Sequence, residues 1–189
     1  MNVKMLTDLS ACEEAIDWFV ENCEDNCSTE EAVDTLIKSK HKQAFEWSNW
    51  LMVRLLNDAN KIKYAVFAAR EVLPIFEKRY PDDLRPQLAI EAAEKFISDP
   101  SEINKDTACA AADAVRAARA AACAACADAA AAYAAHAAAS AAAAYAAAHA
   151  ADAAAAYAAH AAAHAAAYVN ITKKIIQYGF KLLKEQQAQ

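Results

Sequence analysis

Residues 128–160 read DAAAAYAAHAAASAAAAYAAAHAADAAAAYAAH, and this stretch decides the fold class. It lies inside a tract, 108–167, in which 43 of 60 residues are alanine. Alanine loses no side-chain entropy in a helix and is the best helix former, so the tract reads as helix with or without tertiary support. A twelve-residue repeat runs through it. Asp128 is followed by Tyr133 and His136, Ser140 by Tyr145 and His149, and Asp152 by Tyr157 and His160. Twelve residues at about 100° each overshoot three turns by about 120°, so the three tyrosines would point three ways from one straight helix. Within a unit, Tyr and His three or four apart share a face. A continuous helix from Lys105 to Glu185 would measure roughly 120 Å, whereas a compact chain of this length has a radius of gyration of about 16 Å. The tract is therefore expected to fold back, near Asp128, Ser140 or Asp152. Its methyl-sized side chains should let helix axes approach to about 8 Å or less.

The rest of the composition agrees. The chain has 189 residues with one Gly and four Pro, too little turn punctuation for a sandwich, a barrel or a dinucleotide-binding sheet. A phosphate-cradling glycine loop has no place in a chain whose single glycine is Gly179. A net charge of −6 argues against a basic nucleic-acid binder. The opening residues hold no apolar run with a cleavage site, and Ala129 to Ala151 lacks Leu, Ile, Val and Phe, so neither a secretory signal nor a membrane span is expected. The chain reads as soluble and cytoplasmic. Cysteines at 12, 23, 27, 109, 123 and 126 would then stay reduced. Cys23-x3-Cys27 and Cys123-x2-Cys126 have a zinc-like spacing, but each also fits a helix, where Cys packs as a small hydrophobe; no metal and no cofactor is assigned.

Helix signals outside the tract can be followed in order. Ser10 with Glu13 has the form of a capping box, before the stripe Ile16, Phe19 and Val20. Ser28 with Glu31 repeats it before Val33, Leu36 and Ile37. A third helix is expected over about 42–57, with Phe45, Trp47, Trp50, Leu51, Leu55 and Leu56 inward. Asn57 to Asn60 forms a turn and cap, and the following helix is kinked or ended by Pro74. Pro86 suits the first turn of a helix reaching Phe96 and Ile97. A last amphipathic helix covers Val169 to about Glu185. The whole is predicted to be all-α: a compact bundle of about seven or eight helices in a single domain, 1–189. Within it, 1–107 is mixed in composition, 108–167 is the alanine-rich repeat and 168–189 is a basic C-terminal helix.

Charge is unevenly spread. Residues 1–35 carry ten acids and one base, Lys4. An acidic surface formed by Glu13, Glu14, Asp17, Glu21, Glu24 and Asp25 would steer a basic protein partner. Trp18, Trp47 and Trp50, with Arg54 one turn after Trp50, read as core anchors or as an aromatic–guanidinium patch. The Tyr and His groups of the repeat read either as fillers between alanine helices or as a pocket lined by Tyr133, His136, Tyr145, His149, Tyr157 and His160. His160 and His164 are a possible metal edge, and Ser140 near His136 an incidental pair. No nucleophile, base and orienting group come together, so the chain does not read as an enzyme.

The run from Asp83 to Phe96, with Arg85-Pro86 and Ala89-Ile-Glu-Ala-Ala-Glu94, resembles the conserved motif of a bacterial immunity-protein family associated with polymorphic toxin systems. Ala11 to Trp18, the Trp47-Ser-Asn-Trp50-Leu segment, and Ala68-Ala-Arg70 with Leu73-Pro74 look like its flanking helices. Phe96 stands where the family commonly has Trp. The resemblance implies a protein that neutralises a toxin or defence effector by direct binding; the charge imbalance, not the resemblance, points to the acids above as the contact face, and the acidic stretch around Asn22 to Asn26 is this chain's own. The rival expectation is a bundle that sequesters a small molecule or nucleotide on the Tyr and His groups. Neither involves nucleic acid or membrane. Open alanine faces make a homodimer plausible.

Overall fold

In the computed structural model, residues 1–106, 108 and 168–188 are described, and every regular element among them is a helix. The protein is an all-α helical bundle. The expectations placed on 109–167 lie outside the described residues: the fold-back points, Cys109, Cys123 and Cys126, and all the Tyr and His groups of the repeat. Among the described residues no helix is long and apolar enough to cross a membrane. The chain divides into two compact units, Met1–Arg54 and Leu55–Gln189.

The first unit begins with a helix that the sequence pattern did not disclose, α1 (Val3–Asp8), capped by the Asn2 side chain accepting from the Met5 N–H. Ser10 proves not to be a helix start. Its N–H bonds the Thr7 carbonyl at 2.9 Å and the next N–H, of Ala11, bonds Leu6 at 2.9 Å, while Ser10 has φ 63°. That pair of bonds is a Schellman ending, and Ser10 fills the left-handed position in it. The following helix, α2 (Glu13–Asn22), starts instead from Cys12 with no side-chain cap. The second box is as expected: α3 (Thr29–Lys38) is capped by Ser28 accepting from the Glu31 N–H at 3.1 Å, with Glu31 accepting from the Ser28 N–H at 2.8 Å. The last helix of the unit is α4 (Ala44–Leu55). Leu6, Phe19, Val33, Leu36 and Leu51 are buried and line one apolar crevice of about 40 Å³.

The second unit is organised on α5 (Asp58–Arg79), capped by Asn57, which accepts from the Asn60 N–H at 2.9 Å. Pro74 neither ends nor caps this helix, which runs five residues beyond it; its exposed position lets the ring sit on the solvent side. Against α5 pack α6 (Arg85–Ser98), with Pro86 in its first turn, and the C-terminal helix (Tyr168–Gln187). Between them in sequence, residues 102–106 are helical as α7; we number the C-terminal helix α8. Tyr64, Ala65, Ala68, Ala69 and Val72 of α5 are buried, as are Ala89, Ile90 and Ala93 of α6 and Ile175, Ile176 and Leu182 of α8. Small residues recur on the packed side of α5 and α6, which favours close approach of the two helices. Phe67 stacks on Tyr178 with centroids 4.1 Å apart, and Lys174 reaches Glu71 at 3.1 Å. Burial, aided by the charge of Glu185, pushes the Tyr178 phenol above its ordinary value.

Candidate functional site

The six acids singled out from the sequence all belong to the first unit and are all exposed. Glu13 and Glu14 occupy the first turn of α2, where the helix dipole favours carboxylates. Asp17 and Glu21 follow Glu13 at four-residue intervals and Glu24 comes three later, so Glu13, Asp17 and Glu21 form a stripe along the outer face of α2. Glu24 and Asp25 continue it into the turn after the helix. Among the described residues, the one ion pair made by these six is that of Glu14 with the exposed Lys42 at 3.8 Å, a pair open to water and correspondingly weak. Asp25 accepts a bond from Asn26 at 3.3 Å. An exposed apolar side chain, Val20 at 60% exposure, stands on the same helix between Asp17 and Glu21. Reading the stripe Ile16, Phe19, Val20 as inward misplaced Val20: Phe19 alone turns fully in, at 3% exposure.

The charge imbalance follows the unit boundary. Met1–Arg54 holds eleven acids and five bases, whereas Leu55–Gln189 holds fourteen of each. The formal charge of −6 on the chain is thus the charge of its first unit.

Three of the five basic residues of this unit gather at the end of α3 and just beyond it, where Lys38, in the last turn, pairs with Asp34 at 3.8 Å and Lys40 takes φ 57°. Between Lys40 and Lys42, His41 stacks on Trp47 with centroids 4.5 Å apart, and its Nδ1 accepts from the Gln43 N–H at 3.2 Å. The sequence pattern gave no sign of this stacking. Trp18, Trp47 and Trp50 are half-buried and share the apolar crevice. Arg54 lies over Trp50 at 5.4 Å from the ring centroid, so the aromatic–guanidinium contact and the anchoring role coexist. The crevice has almost no polar lining and is too small for more than water-sized guests, which makes it a core feature.

Cys23 and Cys27 do not share a helix as their spacing allowed. Cys23 ends α2 in an extended conformation, with φ −124° and ψ 149°, and Cys27 lies beyond a turn in which its N–H bonds Glu24 at 3.3 Å. Among the described residues no group of three or more His, Cys, Asp or Glu is placed to hold a metal ion.

The run from Asp83 to Phe96 is a packing element. Pro86, Ala89, Ile90 and Ala93 are its buried face. Arg85 donates to Asp83 through Nε at 2.8 Å and Nη2 at 2.7 Å, holding the Asp83 carboxyl below its ordinary range. Glu94 receives two bonds from Arg70 of α5, at 2.9 and 2.7 Å. These residues therefore join α6 to α5 and set the Asp83–Arg85 corner. No protein-family model, curated protein or solved structure matches the chain.

Proposed function

We propose that this is an immunity-type or counter-defence protein, one that neutralises a basic partner protein by occupying it. What supports the reading is the exposure of Glu13, Glu14, Asp17, Glu21, Glu24 and Asp25 on a single unit that carries the whole net charge of the chain. Among the described residues, only Glu14 of the six is ion-paired, to Lys42. Uncompensated carboxylates on a rigid helix steer a cationic surface and reject an anionic one at little cost to the folded state. Exposed Val20 adds an apolar contact inside the charged stripe, the usual arrangement of a contact centre with a charged rim. The function asks for binding alone, and no residue is given a catalytic role.

Capture from the native lysate tests this directly. The unaltered chain and the triple variant Glu13→Lys, Asp17→Lys, Glu21→Lys serve as baits, with bound proteins identified by mass spectrometry. The expected result is a basic protein captured by the first and lost from the second, while both baits unfold at similar temperatures. A partner held equally by both would overturn the acidic-face assignment.

A further inference from the structure

The helix α6 buries one face, formed by Pro86, Ala89, Ile90 and Ala93, and turns another to solvent. On that outer face Leu84 and Leu88 are 55% and 54% exposed, one turn apart and joined by the Leu88 N–H to the Leu84 carbonyl at 2.9 Å. They also wall an open hollow with Tyr80, Pro81, Asp82 and Arg85. The other large apolar side chains exposed among the described residues, Val3, Val20 and Ile103, stand singly on other helices. Half-buried Ala92 continues the line at the next turn. Leu84, Leu88 and Ala92 thus form a four-residue row, inclined by about 26° to the helix axis. At about 100° per residue, Arg85 and Glu91 lie about 60° to either side of Leu88, one before it and one after. Both are exposed.

A base and an acid on opposite sides of one row answer each other under a two-fold axis laid along that row. The rotation sets Leu84, Leu88 and Ala92 against their own counterparts and carries Arg85 of each copy to Glu91 of the other. Twice the inclination of the row gives a helix crossing of about 50°, the commonest in globular proteins. The existing bonds leave room for the new pair. Asp83 takes Nε and Nη2 of Arg85, leaving Nη1, and Gln87 donates to Oε1 of Glu91, leaving Oε2. We propose that the protein self-associates through this face, as a two-fold dimer in which α6 of one copy crosses α6 of a second. Burial of the leucines supplies the affinity, and the two Arg85–Glu91 pairs at the rim fix the register. A contact of one helix from each copy is small for a specific interface, so the dimer is weak and depends on concentration. It uses α6 alone and does not rest on the acidic-surface reading.

Sedimentation of the full chain, at low salt and over a concentration range of about a thousandfold, tests the proposal. The mass should rise from 20.3 kDa toward twice that value. Leu88→Lys sets two ammonium groups face to face and should raise the dissociation constant about tenfold or more. The dilute variant should melt where the original does, since the side chain is exposed. Leu84→Lys repeats the measurement should the first variant melt early. Charge reversal reads the register. Arg85→Glu and Glu91→Arg should each sediment lighter than the original, whereas their equimolar mixture should recover the dimer, because each carboxylate then faces a guanidinium. A monomer at every concentration overturns the proposal and leaves the face to residues 108–167 of the same chain or to another protein. A dimer that withstands the lysine substitutions, or a mixture no heavier than its folded components, overturns it equally.

Discussion

The side chain of Gln186, near the end of α8, closes the corner before α5 by bonding the backbone of Asn57. Its Oε1 accepts the Asn57 N–H at 2.8 Å, and its Nε2 donates to the Leu55 carbonyl at 3.2 Å. Asn60, 7% exposed, adds bonds to the Leu182 carbonyl at 3.3 Å and to Gln186 Oε1 at 3.4 Å. One amide thereby satisfies a donor and an acceptor that the break between α4 and α5 would leave open. Gln186→Ala should cost about 1–2 kcal/mol, seen as a lower urea midpoint. Gln186→Glu should cost at least as much, because the carboxylate keeps the bond to Asn57 but sets an oxygen against the Leu55 carbonyl. A Glu variant as stable as the original would mean that the Leu55 bond contributes nothing.

The left-handed serine at the end of α1 gives a substitution whose sign separates two readings. As a helix cap, Ser10 would lose stability on replacement by glycine. In the Schellman position the Cβ is the liability, since a non-glycine residue there costs about 1 kcal/mol. Ser10→Gly is therefore expected to raise stability, by about 0.5–1 kcal/mol after the greater freedom of glycine in the unfolded chain is deducted. Thermal and urea unfolding of the two proteins measures it.

Ser10 also shows how far the sequence could be read. Ser10-x-x-Glu13 and Ser28-x-x-Glu31 have the same local form, yet only the second caps a helix. The difference lies upstream. Asn2 starts a short helix whose ending claims Ser10, and six residues carry too little periodicity to reveal it. Asn57 and Pro86 were legible because cap chemistry is local to a few residues, and α8 because its apolar spacing persists over five turns. The Arg70–Glu94 and Gln186–Asn57 links were not, since they join residues 24 and 129 apart. The stripe of acids was legible as composition, but the exposure of Val20 within it depends on how α2 sits in its unit. That Cys23 and Cys27 lie at a helix end and a turn was not legible, since a spacing of four does not distinguish a turn from a helix.

The box at Ser28 makes a pH-dependent contribution of known sign. Hydrogen bonds from the Ser28 backbone first, and then its side chain, hold the Glu31 carboxyl below its ordinary value of 4.5. A carboxyl depressed by folding stabilises the native state fully above the unfolded value, and that contribution fades as pH falls through the lower folded value. Glu31→Gln should therefore be less stable than the original at neutral pH, with the gap closing as the solution is acidified below 4.5. Urea midpoints of both proteins across that window measure it; a gap that widens with acid would refute the assignment. Ser28→Ala should lose about 1 kcal/mol.

Arg70 supplies the last prediction, because its surroundings make the two halves of one ion pair unequal. Its guanidinium forks onto Glu94 at 2.9 and 2.7 Å, and Glu91 and Glu77 lie close enough to add to the attraction. The bond to Glu94 is the largest cause of the upward shift of Arg70. With side-chain exposures of 36% and 42% the pair is screened by water, so a double-mutant cycle should give a coupling of only about 0.5–1 kcal/mol, smaller in salt. The single variants should differ more clearly. Glu94→Ala leaves Arg70 with two other carboxylates, whereas Arg70→Ala takes from Glu94, Glu91 and Glu77 the cation they share. Arg70→Ala should therefore be the more destabilising. Arg70→Lys should recover part of the loss, since an ammonium restores the charge but not the fork. If Glu94→Ala were the costlier change, Glu94 would have a role in holding α6 that its bonds to Arg70 do not explain.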